Sequence, residues 1–145
     1  MIITRTPFRI SFAGGGTDLA AFYRLETGAV VSTAIKKYMY ITVNRRFDDS
    51  VRVSYSKTEI VGSSAEVQHP IVREALKAAG ITGGIEIVSI ADIPSGTGLG
   101  SSSSFTVGLL NALYAYKGEL KSAAELAECA CRIEIDVLGS PIGKQ

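Results

Sequence analysis

Apolar and polar positions alternate from the start of the chain. Ile2 and Ile3 lead in, and Phe8, Ile10 and Phe12 then alternate with Arg9 and Ser11, the period of two that buries one face of a β-strand. Arg9 falls on the opposite face. The pattern breaks at Ala13-Gly14-Gly15-Gly16-Thr17-Asp18, and Leu19 to Tyr23 is helical in character. Gly28 to Ala34 predicts a β-branched strand. Tyr38 to Asn44 predicts another, with Met39, Ile41 and Val43 on its apolar face, and beyond the turn at Asp48-Asp49-Ser50 a third places Val51, Val53 and Tyr55 opposite Arg52 and Ser54. These strands predict an antiparallel meander. Glu59 to Gln68 is polar and predicts a loop with one helical turn.

Helical spacing dominates the second half. Pro70 to Ala79 carries Val72, Leu76 and Ala79 on one stripe and stops at Gly80, with proline in the first turn. His69, the single histidine, precedes that proline and reads as a surface or capping residue. The run Ile85, Ile87, Val88, Ile90 predicts a strand, and Phe105, Leu109, Leu110 and Leu113 a helix reaching about Tyr116. Ser122 with Glu125 is a capping-box start for a last helix, in which Leu126, Ala130, Ile133 and Val137 turn to the core and Glu134 lies away from the middle of the stripe. The order of elements predicts an α+β fold, a two-layer sandwich whose mostly antiparallel sheet is covered by helices on one face.

Between the last strand and its helix stands Pro94-Ser95-Gly96-Thr97-Gly98-Leu99-Gly100-Ser101-Ser102-Ser103-Ser104. Three glycines at alternate positions permit positive φ, so the main chain can aim consecutive N–H groups at one point. The helix that follows adds unpaired N–H groups and the positive end of its dipole. The serines add hydroxyls for phosphate oxygens or for a magnesium ion carried by them. No Gly-Lys-Ser/Thr follows, so this is not a P-loop, and Ser101 stands where a dinucleotide fingerprint needs glycine. The other glycine run, Gly14 to Gly16, is costly to order, which points to a close approach to its backbone.

The string Pro94, Gly98, Leu99, Gly100, Ser101, Ser102, Ser103 resembles the second motif of the GHMP kinases, and Pro7-Phe8-Arg9-Ile10-Ser11-Phe12-Ala13-Gly14-Gly15-Gly16-Thr17-Asp18 resembles their first. The resemblance covers the whole chain and implies the two-layer fold that these kinases share with a small-subunit ribosomal protein domain. It also implies that residues Pro94 and Gly96, Thr97, Gly98, Leu99, Gly100, Ser101, Ser102 and Ser103 wrap the triphosphate of ATP, and that Ser102 and Glu134 hold magnesium. Gly15, Gly16, Thr17 and Asp18 would face a sugar, Asp18 as acceptor from a hydroxyl. Gly15 and Gly16 replace an acidic residue and a histidine of galactokinases, and the triple-glycine version is similar to that of heptose 7-phosphate kinases. The implied reaction is ATP-dependent phosphorylation of the anomeric hydroxyl of a heptose 7-phosphate, on the way to nucleotide-activated heptose.

Composition narrows the partners. The chain has 145 residues, 46% of them apolar and 20% charged, enough for one domain with a core. A net charge of +1 gives no electrostatic case for nucleic acid or an acidic membrane. The chain shows no signal peptide and no apolar run of spanning length, so the expected location is cytoplasmic. Cys129 and Cys131, two apart on a predicted helix, point to different sides and read as thiols rather than a disulfide or zinc pair.

The Gly139 to Gln145 stretch looks like the turn that carries the family's catalytic aspartate, which would fall at the next position. Arg9 matches the arginine that keeps that aspartate ionised. The expectation is an amino-terminal ATP-binding domain, residues 1–145, without its carboxy-terminal partner in cis and with little turnover of its own. Two other readings stay open: a fucose- or galactose-type kinase of the same family, and a non-catalytic module that binds ATP or sugar.

Overall fold

Two long strands, β1 (Ile2–Ala13) and β2 (Val31–Arg45), form the broadest antiparallel pair of the protein, and the computed structural model describes all of residues 1–145. Three further strands complete one sheet: β3 (Val51–Ser54), β4 (Thr58–Val61) and β5 (Ile85–Ala91), in the order β1-β2-β5-β3-β4. The helices are α1 (Ala20–Tyr23), α2 (Pro70–Ala79), α3 (Ser101–Tyr116) and α4 (Ala123–Cys131), with a 3-10 turn at Ser64–Glu66 and a π-helical segment, Arg132–Val137, continuing α4.

Alternation decides which face is covered. Phe8, Met39, Ile41, Val43, Val51, Val53, Ile85 and Ile87 are buried beneath the helices. On the opposite face Ile3, Ile60 and Ile90 stay 59%, 63% and 65% exposed. The two-layer α+β architecture is therefore the one the pattern predicts.

The meander is not. β5 lies between β2 and β3, antiparallel to β2 and parallel to β3. A β2–β3 hairpin would leave apolar β5 at an edge, whereas the observed order pairs it on both sides and gives the polar β4 the exposed edge. β4 was hidden in a stretch that reads as a loop, because only Ile60 and Val61 among its residues are apolar. Phe12 also departs from its pattern, at 68% exposed. Ser104 near the start of α3 meets Pro7, its hydroxyl donating to the Pro7 carbonyl at 3.0 Å, so the far end of β1 runs past the helical layer.

α3 is the central helix, burying Phe105, Leu109, Leu110, Ala112 and Leu113. Gly108 lets it sit close on the sheet: its carbonyl accepts from Thr4 Oγ1 at 2.8 Å, and a Cβ there would stand 2.7 Å from Thr6 Oγ1. Each large side chain buried here contributes about 1.5–3 kcal/mol. α2 has the predicted bounds, with His69 as its N-cap and Gly80 left-handed at its end, and α4 starts on the Ser122–Glu125 capping box.

Candidate active site

The serine-rich loop leaves the central strand. β5 ends at Ala91, and Asp92 ties the exit to β2, its N–H donating to the Tyr38 carbonyl at 3.0 Å and its carboxylate accepting from the Tyr38 N–H at 2.9 Å. Gly96, Gly98 and Gly100 then take φ of +81°, +74° and +77°. Side-chain-bearing residues resist this left-handed conformation, and its alternation with ordinary backbone is what builds an anion-binding concavity.

The loop's two hydrogen-bonding faces are used differently. Its carbonyls are held by β1: Leu99 O accepts from the Arg9 N–H at 3.1 Å and Gly98 O from Arg9 Nη1 at 2.8 Å. None of the N–H groups from Gly96 to Ser103 donates to an acceptor in the protein. Gly100 packs against the Arg9 side chain, where a Cβ would approach Cζ to 3.3 Å. The loop is thus fixed from behind with its donors left for a ligand, and the unpaired first turn of α3 extends the row. Pro94 and Thr97 shape the entry, Thr97 Oγ1 donating to the Pro94 carbonyl at 3.3 Å.

Ser102 and Glu134 come together. The Ser102 hydroxyl donates to Glu134 Oε2, although the two are 32 positions apart. Glu134 is only 3% exposed, contrary to the α-helical spacing that sets it outside the stripe, while Val137, expected in the core, is 54% exposed. The π-helical turn explains both. Its bond from the Leu138 N–H to the Ile133 carbonyl, at 2.9 Å, spans five residues, so side chains rotate out of α-helical phase and Glu134 turns inward beside Ile133. A buried carboxylate beside a hydroxyl is a hard-oxygen donor pair. No cluster of three or more His, Cys, Asp or Glu forms a cage. The pair therefore fits magnesium, which keeps waters and phosphate oxygens among its ligands, better than an all-protein site.

The triple-glycine loop packs against the segment before β2. Gly14 and Gly16 have φ of +84° and +97°. At Gly14 a Cβ would lie 1.9 Å from the Ala29 carbonyl oxygen, so the close approach the glycines imply is to the protein's own backbone. Thr17 fastens this contact: its hydroxyl lies 2.7 Å from Gly14 O and 3.0 Å from Ala29 O and accepts from the Ala29 N–H at 3.1 Å. Gly15 is open and exposed.

Asp18 follows, half-buried, accepting from the Gly16 N–H at 3.1 Å and the Gln145 N–H at 3.2 Å. Burial pushes its carboxyl up, but the Gln145 and Gly16 N–H groups outweigh that and hold it below the usual range, so it is an ionised acceptor at neutral pH. The Gln145 carbonyl in turn accepts from Ser103 Oγ at 2.9 Å. One residue thereby links the first motif to the second. Arg9, bonded to the serine loop, has a buried Nε that has no partner.

A cavity of about 720 Å³ adjoins the serine loop, lined among others by Met39, Tyr55, His69, Ile71, Ser102 and Phe105. His69 stacks on Phe105, with ring centroids 5.2 Å apart, and meets Tyr55 edge-on at 4.8 Å. Its Nδ1 accepts from the Val72 N–H at 3.5 Å, as the capping reading expects, and burial pushes its pKa down. These aromatics come from three separate segments and share no local pattern, which is why no sequence motif marks them.

Comparison with known proteins agrees with this geometry. The model of the GHMP kinases N terminal domain matches residues 62–145. The D-glycero-alpha-D-manno-heptose 7-phosphate kinase of Campylobacter jejuni is 29% identical across 99% of this chain and 46% of its own length. A mevalonate kinase of Methanothermobacter thermautotrophicus is 47% identical over 49 residues, 34% of this chain and 16% of its own. Among solved structures, a D-glycero-D-manno-heptose 1-phosphate kinase from Bacteroides thetaiotaomicron shares the fold with a TM-score of 0.89, at 22% identity, over 100% of this chain and 51% of its own. The chain spans about half the length of these heptose kinases. With the serine-rich loop and more than half its length matched by that family model, the chain belongs to the GHMP kinases, as their N-terminal domain.

Proposed function

We propose that this chain is the ATP-binding domain of a sugar kinase that phosphorylates the anomeric hydroxyl of a heptose 7-phosphate. The observation that carries the reading is the row of undonated N–H groups from Gly96 to Ser103, tied to Asp18 through the backbone of Gln145. Phosphoryl transfer needs positioning and neutralised charge more than covalent help from the protein. In this reading the loop's N–H groups take the phosphate oxygens and the apolar cavity beside Tyr55, His69 and Phe105 takes the base. Ser102 and Glu134 hold magnesium, which supplies positive charge to the phosphates.

The sugar oxygen attacks the terminal phosphorus, the bond to the ADP oxygen breaks, and the hydroxyl proton leaves to a base. Asp18 accepts from a sugar hydroxyl and orients the ring. The acceptor aspartate and the opposing wall of the cleft belong, by the family resemblance, to the half of such kinases that this chain does not span, and the guanidinium of Arg9, with Nε unpaired, would keep that aspartate ionised. The Campylobacter relative's name supports the substrate class.

The test is a panel of sugars and sugar phosphates offered with ATP to the protein extended to the length of its relatives. Preference for heptose 7-phosphate with phosphate placed on the anomeric oxygen supports the reading; turnover confined to unphosphorylated galactose or fucose overturns the substrate.

A further inference from the structure

A second cavity, of about 560 Å³, opens between α1, α4 and the segment before Gln145. Six charged side chains line it: Lys121, Glu125, Glu128, Arg132, Asp136 and Lys144. They are not equally engaged. Glu125 is committed to the capping box, its Oε2 accepting from the Ser122 N–H at 2.8 Å and from Ser122 Oγ at 2.7 Å. Lys121 stands 3.8 Å from the Glu119 carboxylate. Arg132 and Lys144 form no ion pair. The Arg132 guanidinium donates only to the weak acceptor Cys129 Sγ, at 3.8 Å, and the Lys144 ammonium rests over the Tyr23 ring, 4.0 Å from its centroid.

Two cations without a counter-ion thus share one concavity, although they come from segments 12 positions apart in the chain. An arginine fork and a lysine point charge together suit a phosphate group. The carboxylates of Glu128 and Asp136 restrict what else the ligand can be. They repel a bare polyanion such as a triphosphate, but they accept from hydroxyls, so the mixture fits a polyol that carries a single phosphate.

The cavity is also close to the aspartate that orients the sugar in the proposed reading. Asp18 does not line it, but the Lys144 N–H donates to the Asp18 carbonyl at 3.2 Å, and α1, which carries Tyr23, begins two residues after Asp18. The next residue along, Gln145, is bonded to Ser103 of the serine loop. A heptose 7-phosphate has its anomeric oxygen and its phosphate at opposite ends. With the anomeric end at the serine loop and a hydroxyl on Asp18, the phosphorylated end is directed past Lys144.

We propose that Arg132 and Lys144 form the subsite for the phosphate of the sugar substrate, Lys144 leaving the Tyr23 ring to pair with it. The proposal rests on the kinase reading for the ligand's being a sugar phosphate. It makes these two side chains the specificity-determining residues that separate a phosphorylated sugar from its unphosphorylated form.

The test uses the protein extended to the length of its relatives, with Arg132→Gln and Lys144→Gln variants. Each is titrated with D-glycero-D-manno-heptose 7-phosphate, with the unphosphorylated heptose and with a non-hydrolysable ATP analogue, and melting curves are recorded. Both side chains are exposed, so neither substitution is expected to lower the melting midpoint. The expected result in each variant is a loss of heptose 7-phosphate affinity of about tenfold or more, with affinity for the unphosphorylated heptose and for the nucleotide within about twofold of wild type. Unchanged heptose 7-phosphate affinity in either variant overturns the subsite. So does an equal loss for the two sugars, which marks a contact to the ring, or a joint loss of all ligands with a lowered midpoint, which marks a structural role. Nucleotide binding with sugar phosphate affinity indifferent to both positions sinks this proposal alone. Sugar phosphate binding that depends on both cations, without nucleotide binding, sinks the kinase reading alone, and binding of neither ligand sinks both.

Discussion

The hydroxyl of Ser102, in the first turn of α3, donates to the carboxylate of Glu134, which the π-helical turn after α4 has rotated into the interior. Neither residue alone is distinctive, since exposed helix carboxylates and capping serines are common. Together, beside a row of free N–H groups, they are the hard-oxygen pair that, in the proposed reading, would hold a nucleotide-borne magnesium ion.

Removing either side of that pair is expected to weaken magnesium more than nucleotide. Ser102→Ala and Glu134→Gln should each lower the apparent magnesium affinity of the nucleotide complex by at least about tenfold. Magnesium titrations of the protein held with an ATP analogue read this directly. Equal affinities in wild type and both variants would remove the pair from the metal site.

The three consecutive glycines are predicted to differ sharply. Gly14→Ala forces a Cβ to 1.9 Å from the Ala29 carbonyl oxygen at a φ of +84°, so the loop must be displaced from the segment before β2. Gly16→Ala meets no atom and should cost only the left-handed penalty of about 1–2 kcal/mol. Gly15→Ala meets nothing and needs no positive φ, so its melting midpoint should match wild type. Thermal melts of the three variants check the order.

His69 sets a pH dependence of stability. Its ordinary value is 6.5, and burial between Tyr55 and Phe105 lowers it, against the opposing charge of Glu59. The unfolded chain therefore binds a proton that the folded chain refuses, so acidification favours unfolding, starting near 6.5 and levelling below the folded-state value. The lowered carboxyls of Asp18 and Glu59, with ordinary values of 3.8 and 4.5, add their own loss only at more acid pH. His69→Asn keeps a capping side chain and should flatten the upper part of this profile, measured as melting midpoint between about pH 8 and 5.

Much of this arrangement is legible in the sequence because its causes are local. The left-handed glycines at 96, 98 and 100, the start and stop of α2 at Pro70 and Gly80, and the Ser122 capping box depend on a few adjacent residues. The failures lie where distant segments decide. Whether β5 pairs β3 or stands at an edge depends on the whole sheet, and polar β4 becomes a strand only because β3 offers a partner. Glu134 eluded a 3.6-residue period because one turn is wound differently, and the cavity at Tyr55, His69 and Phe105 exists only once three elements meet.

The central claim is that the N–H groups of Gly96 to Ser103 receive a nucleotide's phosphates, and amide NMR of the labelled protein titrated with a non-hydrolysable ATP analogue and magnesium tests it most directly. The account predicts saturable shifts concentrated on those eight amides, reduced in Glu134→Gln when magnesium is limiting. Resonances of Gly96 to Ser103 that stay still while the analogue binds elsewhere, or does not bind, would contradict it.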